Sequence, residues 1–498
     1  MESNCLLTFF GFCFELPHFS ILSLVLYFGI IMLIAKWTKG KDHSSFFNAG
    51  KSSPWFIVAF GMLGTTLSGV TFISVPGWVM ESQFSYFQMV IGYVFGYIFI
   101  AKVLMPIYYD MNLTSIYEYL SQRFGRYTYL TGSGFFLLSR SIGAAFRLFL
   151  IALVFQIFIF DYFGLDFWIA VASALLLIWV YTFQGGIKTI VWTDTLQTFF
   201  MMLALIGSIV YLWSFLPQDF EGQKAIFQST DFTQIFFWDI NSPQYFWKQF
   251  LSGMFIAIVM TGLDQDMMQK NLTCKNLKDA QKNMYWFTGA LVVVKFIFLV
   301  LGALLIYYAM AEGHRIPDAA DRLYPSYAFN YFPVGVALLF IIGLSAAAYS
   351  SADSALTALT TAFCVDFLGF QQKQNVPKVH RYLVHIGFTI LIFILILIFN
   401  SLDDKSVISQ IFTFAGYTYG PLLGLFAFGI FTKWEITKEK WIPLICVSSP
   451  ILTYLIDQNI HLVWENYKFG FELLLLNGLL CFIGLSILSL INKKAPQL

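Results

Sequence analysis

Charged side chains are scarce in this sequence. The 29 Lys and Arg and the 28 Asp and Glu make up only 11% of the 498 residues, whereas 58% are hydrophobic. A soluble domain has about 25% charged residues, so the soluble class is excluded. The sequence has no basic tract that would bind nucleic acid. It also has no phosphate-binding loop (GxxxxGK followed by Ser or Thr), which argues against ATP-driven transport.

Cysteine and histidine are too few and too scattered for a catalytic or metal centre. The six cysteines show no CxxC spacing, and only Cys5 and Cys13 are close enough in sequence to pair if the N-terminus is outside the cell. The six histidines fall mostly in loops or near span ends, whereas an intramembrane enzyme needs a buried nucleophile with a base or a metal. We therefore predict no catalytic residues. The first residues lack the pattern of a signal peptide, so the first span is expected to stay in the mature protein.

Apolar segments of bilayer length recur along the whole chain. A helix needs about 20 apolar residues to cross the hydrocarbon core. The sequence predicts an all-α polytopic membrane protein with about 13 spans. Their approximate limits are 19–36, 54–80, 84–109, 131–160, 166–183, 189–214, 246–268, 284–310, 333–366, 382–400, 407–431, 441–457 and 470–491. The longest connection, residues 215–245, is too short for an independent fold, so residues 1–498 are expected to form one transporter domain.

The loops carry their positive charge on one side of the membrane. Lysine-rich connections follow the odd-numbered spans, as with Lys36 after span 1 and with Lys493 and Lys494 after span 13. The connections after even-numbered spans are acidic or mixed, with residues such as Asp161 and Asp403. By the positive-inside rule, the N-terminus is outside and the C-terminus is cytoplasmic in a multi-pass protein of the cell membrane.

Two of the apolar spans are interrupted by polar residues. Span 2 carries glycine, hydroxyl residues and Pro76 between Gly61 and Gly77, a pattern that favours a broken helix lining a protein-enclosed cavity. Span 7, five spans later, is interrupted at Gly262. Corresponding interruptions in two halves indicate an inverted-repeat transporter with its site near the midplane. The alternative for span 7 is that Asp264 and its polar neighbours cap a helix end at the cytoplasmic surface.

One carboxylate is predicted to lie inside span 6. A tight turn at Gly185-Gly186 is expected to lead into this span and to bring Asp194 into the membrane. A carboxylate at that depth is costly, so we expect it to have a partner. The alternative is an interfacial acid that is solvated by the cytoplasmic headgroups.

Span 9 carries a face of small and hydroxyl residues. Ala347, Ser350, Ser351 and Ser354 recur at helical spacing, and Asp353 flanks them. Hydroxyl groups and unwound carbonyls are suitable oxygen ligands for sodium. The alternative is a helix–helix seam in which the hydroxyls bond their own backbone.

Three of these motifs together resemble the sodium/solute symporter family, which includes sodium–galactose, sodium–proline, sodium–sialic acid and sodium–iodide carriers. The motifs are Gly185-Gly186 with Trp192-Thr193-Asp194 and Gln197, then Asp264-Gln265 to Gln269-Lys270, then the span-9 face followed by Asp366. The resemblance covers roughly spans 2 to 11.

The resemblance implies a LeuT-type fold with five plus five inverted spans. The first repeat is residues 54–215 and the second is residues 245–432, with broken helices in spans 2 and 7. Residues 1–53 and 433–498 are peripheral. The implied function is sodium-coupled symport of a small polar solute into the cytoplasm by alternating access, with a monomer sufficient for transport. Proton coupling, or a transport-dead sensor on the same scaffold, stays open.

The resemblance also implies one or two sodium ions as cotransported ligands. For the first sodium the ligands are Gly64, Leu67, Ala347, Ser350 and Ser351. For a second sodium they are Asp194, Ser350, Asp353 and Ser354. Asp353 departs from the expected serine, and its extra charge either strengthens the second site or lets a proton replace the ion.

The substrate side of the resemblance rests mainly on one arginine. The implied substrate-binding residues are Thr65, Thr66, Ser68, Thr71, Gln88, Arg147 and Thr261. Arg147 resembles an arginine of anion carriers, and a guanidinium grips a carboxylate with two hydrogen bonds. The substrate is therefore expected to be a sugar acid or another carboxylate. The alternatives are a neutral sugar as substrate and a structural role for Arg147 as the partner of a buried acid.

Overall fold

The computed structural model describes residues 7–9, 12–38, 51–217, 231–370, 378–401, 407–464, 467 and 469–493. Helices dominate because a segment in lipid must satisfy its backbone hydrogen bonds internally. The helices are α1 (Leu16–Thr38), α2 (Trp55–Leu67), α3 (Gly69–Ser82), α4 (Tyr86–Asp110), α5 (Glu118–Arg123), α6 (Arg126–Phe163), α7 (Phe167–Trp213), α8 (Phe246–Gly262), α9 (Gln265–Asn271), α10 (Leu277–Glu312), α11 (Leu323–Asn330), α12 (Val334–Phe367), α13 (Lys378–Phe399), α14 (Val407–Phe431), α15 (Ile442–Asn459) and α16 (Leu473–Lys493).

A short hairpin precedes the first helix. Strand β1 (Leu7–Phe9) pairs antiparallel with β2 (Phe12–Phe14), and Thr8 lies opposite Cys13. Cys5 lies outside the described residues, so its predicted pairing with Cys13 stays a prediction.

The polytopic helical class is confirmed. Within the described ranges, nine helices are long and apolar enough to cross a membrane, and counting each bent pair as one span gives up to eleven. The apolar segment Phe167–Thr182 is shorter than these. The number of thirteen spans therefore stays a prediction.

Both predicted helix breaks are present. Helices α2 and α3 are bent by 56° at Ser68, whose φ of 24° and ψ of 164° do not fit a helix. A positive φ is uncommon for a non-glycine residue, so the surrounding packing must hold this conformation. Helices α8 and α9 are bent by 68° at Leu263 and Asp264. Each break leaves helix-end carbonyl and amide groups without partners inside the helix.

Helix α7 covers both predicted span 5 and predicted span 6. It is continuous over 47 residues, about 70 Å at the rise of a straight helix and more than twice the thickness of the bilayer core. Tyr181, in predicted span 5, donates to Asp353 on α12. Asp194, in predicted span 6, accepts from Ser350 on the same helix. Both predicted spans therefore bond to the polar stretch of α12. The side chains of Gly185-Gly186, where the turn was predicted, lie outside the described part.

Helix α12 forms the centre of the bundle. Every residue from Gly343 to Ala362 is buried, and the helix packs against α7, α6, α2 and α3. Helices α1, α13 and α16 instead expose many large apolar side chains, as lipid-facing helices do. The polar face of span 9 therefore lies in the protein interior, next to the break in span 2.

Candidate functional site

The break between α2 and α3 lies against the serine face of α12. The carbonyls of Gly64 and Leu67 belong to the last four residues of α2, which have no partners within that helix. Thr65 Oγ1 is 3.3 Å from Ser350 Oγ. A Cβ atom added to Gly69, the first residue of α3, would lie 3.8 Å from the backbone nitrogen of Ala348. The elements that carry the predicted first sodium ligands are therefore adjacent.

The serines of this face make two kinds of bond. Ser351 Oγ donates to the carbonyls of Ala347 (3.2 Å) and Ala348 (3.0 Å), so it bonds its own helix. Ser350 Oγ instead donates to Asp194 Oδ1 at 2.6 Å. The seam alternative thus describes Ser351, while Ser350 reaches across to α7.

Asp194 has the partner that was expected for it. The Nζ atom of Lys270, on α9, lies 2.7 Å from Asp194 Oδ2. The same ammonium donates to Ser354 Oγ at 2.7 Å and to Thr65 Oγ1. Asp194 and Lys270 are both completely buried, so the headgroup-solvated alternative for Asp194 is wrong. We call Thr65, Asp194, Lys270, Ser350 and Ser354 the lysine cluster.

Two glycines allow α2 to approach α7 closely enough for this cluster to form. A Cβ atom at Gly64 would lie 2.1 Å from Thr198 Oγ1, and one at Gly61 would lie 3.2 Å from the Cβ of Asp194. Neither position has room for a larger residue unless a neighbour moves. The glycines therefore bring Thr65 within hydrogen-bond distance of Asp194 (3.1 Å).

Asp353 makes its side-chain hydrogen bond to a residue outside the lysine cluster. Its Oδ2 accepts a hydrogen bond of 2.8 Å from Tyr181, and its Oδ1 has no hydrogen-bond partner among the described residues. Asp194, Ser350 and Ser354 belong to the lysine cluster. Among the described residues, no side-chain hydrogen bond joins Asp353 to these three side chains.

The break in span 7 is closed by buried acids. Asp264 caps α9 by accepting from the backbone nitrogen of Asp266 (2.9 Å), and it also accepts from Tyr419 Oη (2.6 Å). Arg140, on α6, pairs with Asp266 and lies 4.0 Å from Asp264. The capping alternative is therefore correct for Asp264, but the cap lies in the interior and not at the surface. Arg140 neutralises these two acids. The structural role considered for Arg147, as the partner of a buried acid, is therefore filled by Arg140, which lies two turns earlier on α6.

A cavity adjoins both helix breaks. It is lined by Thr65, Thr66, Ser68, Val70, Thr71, Tyr86, Tyr93, Tyr97, Arg140, Arg147, Ile256, Ala257, Met260, Thr261, Met267, Lys295, Ile411 and Phe412. Six of the seven predicted substrate residues are in this lining, and Gln88 is the exception. Thr66 Oγ1 is buried and has no hydrogen-bond partner among the residues the structure covers.

Comparison with known proteins identifies the protein family. A model described as the sodium:solute symporter family matches residues 46–438, most of the chain. The chain belongs to this family. It is 27% identical over 434 residues to the sodium/sialic acid symporter NanT of Aliivibrio fischeri, and the matched region covers 83% of each protein. It is 25% identical over 448 residues to the sodium/sialic acid symporter SiaT of Proteus mirabilis, and the matched region covers 85% of this chain and 86% of that protein.

A solved structure shows the same fold. A substrate-bound, outward-open Na+-coupled sialic acid symporter matches with a TM-score of 0.81 at 20% identity, over 96% of this chain and 98% of that chain. The predicted LeuT-type architecture is confirmed by this similarity. The protein is a sodium-coupled solute symporter of the membrane and not an enzyme.

The prediction for Gln88 is not supported by its position in the symporter. Its Nε2 donates to the carbonyl of Gln244 (2.8 Å) and its Oε1 accepts from the backbone nitrogen of Phe237 (3.2 Å). The side chain is completely buried and lies outside the cavity lining. Gln88 holds the connection before α8 in place, because a buried amide satisfies backbone groups that would otherwise lack partners.

Sequence reasoning missed one cationic residue of the symporter's cavity. Lys295, on α10, is buried, donates to Tyr86 Oη (2.6 Å) and lies over the rings of Tyr86 and Tyr93 at 5.0 and 5.7 Å. Across the described ranges, neither Lys295 nor Arg147 forms an ion pair with a carboxylate. A usable signal was present, because a lysine in the middle of an apolar span is by default a functional residue.

Proposed function

We propose that this symporter moves a sugar acid together with sodium into the cytoplasm. The observation that carries the proposal is the pair of cations in the cavity, Arg147 and Lys295, which have no carboxylate partner among the described residues. Such cations in a cavity within the membrane are stabilised when an anion binds. The relatives named for sialic acid transport support the same class of substrate.

The rest of the lining suits a polyhydroxylated acid. The hydroxyls of Thr66, Ser68 and Thr71 come from the broken span and face the same cavity as Arg147. Arg147 lines the cavity and forms no ion pair among the described residues, and a guanidinium can form two parallel hydrogen bonds with a carboxylate. The hydroxyls supply donors and acceptors for the substrate's own hydroxyl groups.

The proposed sodium position links the ion to this cavity. The ligands would be the carbonyls of Gly64, Leu67 and Ala347 and the hydroxyls of Ser350 and Ser351. Thr65 lies in the same turn of α2, lines the cavity and contacts Ser350, so an ion held between α2 and α12 also fixes one wall of the cavity. Sodium and substrate would then each raise the affinity for the other, because linkage between two sites is reciprocal.

The charge asymmetry of the loops orients the proposed carrier in the membrane, and the inward sodium gradient sets the direction of transport. With the lysine-rich connections inside, the N-terminus lies outside and sodium enters from the exterior. Alternating access would then release sodium and the sugar acid into the cytoplasm.

Thermal unfolding in detergent tests both parts of the proposal. Sodium replacing choline at fixed ionic strength should raise the unfolding temperature of the native chain, and raise it less in Ser351→Ala, because a ligand stabilises the state that it binds. Adding sialic acid in sodium should raise it further in the native chain but not in Arg147→Lys. Arg315→Lys, at an exposed arginine, is the matched control and should respond like the native chain.

Two outcomes would contradict the proposal. If a neutral sugar stabilises the native chain and sialic acid does not, the substrate is a sugar. If sodium has no effect on the native chain, the assignment of the ion site is wrong.

A further inference from the structure

The second cation position of this symporter is filled by one of its own side chains. We propose that the Lys270 ammonium replaces a second sodium ion, so that the carrier binds one sodium ion in each cycle. This inference rests on the proposed function for the first sodium site. It disagrees with the expectation that Asp194, Ser350, Asp353 and Ser354 hold an ion.

The first reason is that the ammonium is fully coordinated. A lysine ammonium has three N–H donors, and Lys270 directs them to Asp194 Oδ2, Ser354 Oγ and Thr65 Oγ1. Asp194 and Ser354 are ligands that the second sodium would need. A sodium ion at this position would therefore have to displace Lys270 from Asp194. Among the described residues, Asp194 is the one carboxylate within 3 Å of the ammonium.

The second reason is that Lys270 is firmly held in this position. It lies on α9 immediately beyond the break in span 7, and its side chain is 1% exposed. Its backbone carbonyl accepts from Thr273 Oγ1 (2.7 Å), and a further carboxylate, Asp266, lies 3.9 Å from the ammonium. A displaced ammonium would stay buried without its carboxylate partner, which is strongly unfavourable.

The third reason is the balance of charge around the cavity. Among the described residues, four cationic side chains and four carboxylates line the cavity or interact with the lysine cluster and Arg140, namely Arg140, Arg147, Lys270 and Lys295 with Asp194, Asp264, Asp266 and Asp353. With these carboxylates ionised, the set is neutral when empty and again neutral with one sodium ion and one monoanion. A second sodium ion would leave an unmatched charge in the membrane interior, where charge is costly.

Counting bound sodium tests the inference without a known substrate. Equilibrium binding of radioactive sodium to the purified full-length chain should give one ion per protein. Lys270→Met removes the ammonium and leaves Asp194 free to hold an ion, so it should bind two. Lys270→Met combined with Asp194→Asn should return to one. Lys282→Met, at an exposed lysine of α10, is the matched control and should bind one.

The outcomes separate this inference from the proposed function. Two sodium ions on the native chain would overturn the inference while the sodium site on α2 and α12 stands. No sodium on the native chain would overturn both. A Lys270→Met chain that is folded and still binds one ion would also overturn the inference. If that variant does not fold, the count for the native chain decides alone.

Discussion

The ammonium of Lys270 lies 2.7 Å from the carboxylate of Asp194, and the pair joins α7 to α9. Asp194 belongs to α7, whereas Lys270 lies on α9, beyond the break that separates α9 from α8. Thr65, at the end of α2, contacts both residues. A relative movement of α7 and α9 must therefore separate this pair, and a movement of α2 away from either helix must break a contact of Thr65.

Removing one member of the pair should destabilise the protein strongly. Asp194→Asn and Lys270→Met each leave a buried charge without its partner, and we expect a loss of about 3–5 kcal/mol for either. The double variant should lose much less than the sum, because it leaves neither charge unpaired. Thermal or denaturant unfolding in sodium-free detergent measures all four chains. Additive losses would show that the two residues do not interact.

Replacing Gly64 by alanine should disrupt the contact between α2 and α7. The added methyl group would lie 2.1 Å from Thr198 Oγ1, so one helix must shift. We expect a loss of about 1–3 kcal/mol from overpacking, partly recovered in Gly64→Ala combined with Thr198→Ala. Gly289→Ala is the control, since nothing lies within 4 Å of its added methyl group. Unfolding temperatures that fall equally in Gly64→Ala and Gly289→Ala would contradict this account.

Local chemistry allowed the breaks and the serine face to be predicted, but not the pairing of the charges. Glycine and hydroxyl residues in an apolar run signal a broken helix wherever they occur, and helical spacing alone places Ser350 and Ser354 on one face. Lys270, the partner of Asp194, is far from it in sequence. The residues around Lys270 in the sequence do not show whether it lies at the membrane surface or in the protein interior. Only the fold decides between these positions.

The same limit explains the two arginines of α6. Arg140 and Arg147 are two turns apart and share a face, so the sequence cannot tell which one meets Asp264 and Asp266. The structure places Arg140 on the acids and leaves Arg147 in the cavity lining.

Replacing Gln88 should affect stability and not substrate recognition. Gln88→Leu removes hydrogen bonds to the backbone of Phe237 and Gln244 and leaves those partly buried groups without these partners. We expect a loss of about 1–3 kcal/mol. Uptake into proteoliposomes should keep the native apparent affinity for substrate, with a lower unfolding temperature. A large rise in the apparent Michaelis constant would return Gln88 to the substrate site.

A carboxylate between the membrane spans should make stability depend on pH. Glu118 begins α5, and burial, with the nearby charge of Asp366, raises its pKa from 4.5 to about 7. The folded protein therefore holds this proton more tightly than the unfolded chain does. Stability should fall as pH rises from 4.5 to about 7, because the folded state must then hold a partly desolvated carboxylate.

Glu118→Gln should remove this dependence, since the amide stays neutral. The variant should unfold at a higher temperature than the native chain above pH 7, and the difference should vanish near pH 4.5. Glu312→Gln, at an exposed position of α10, controls for the general effect of losing one carboxylate. Unfolding temperatures measured across this range, in sodium and in choline, separate the proton effect from any change in ion binding. A variant that is less stable than the native chain above pH 7 would show that the charged form of Glu118 is the one that the fold stabilises.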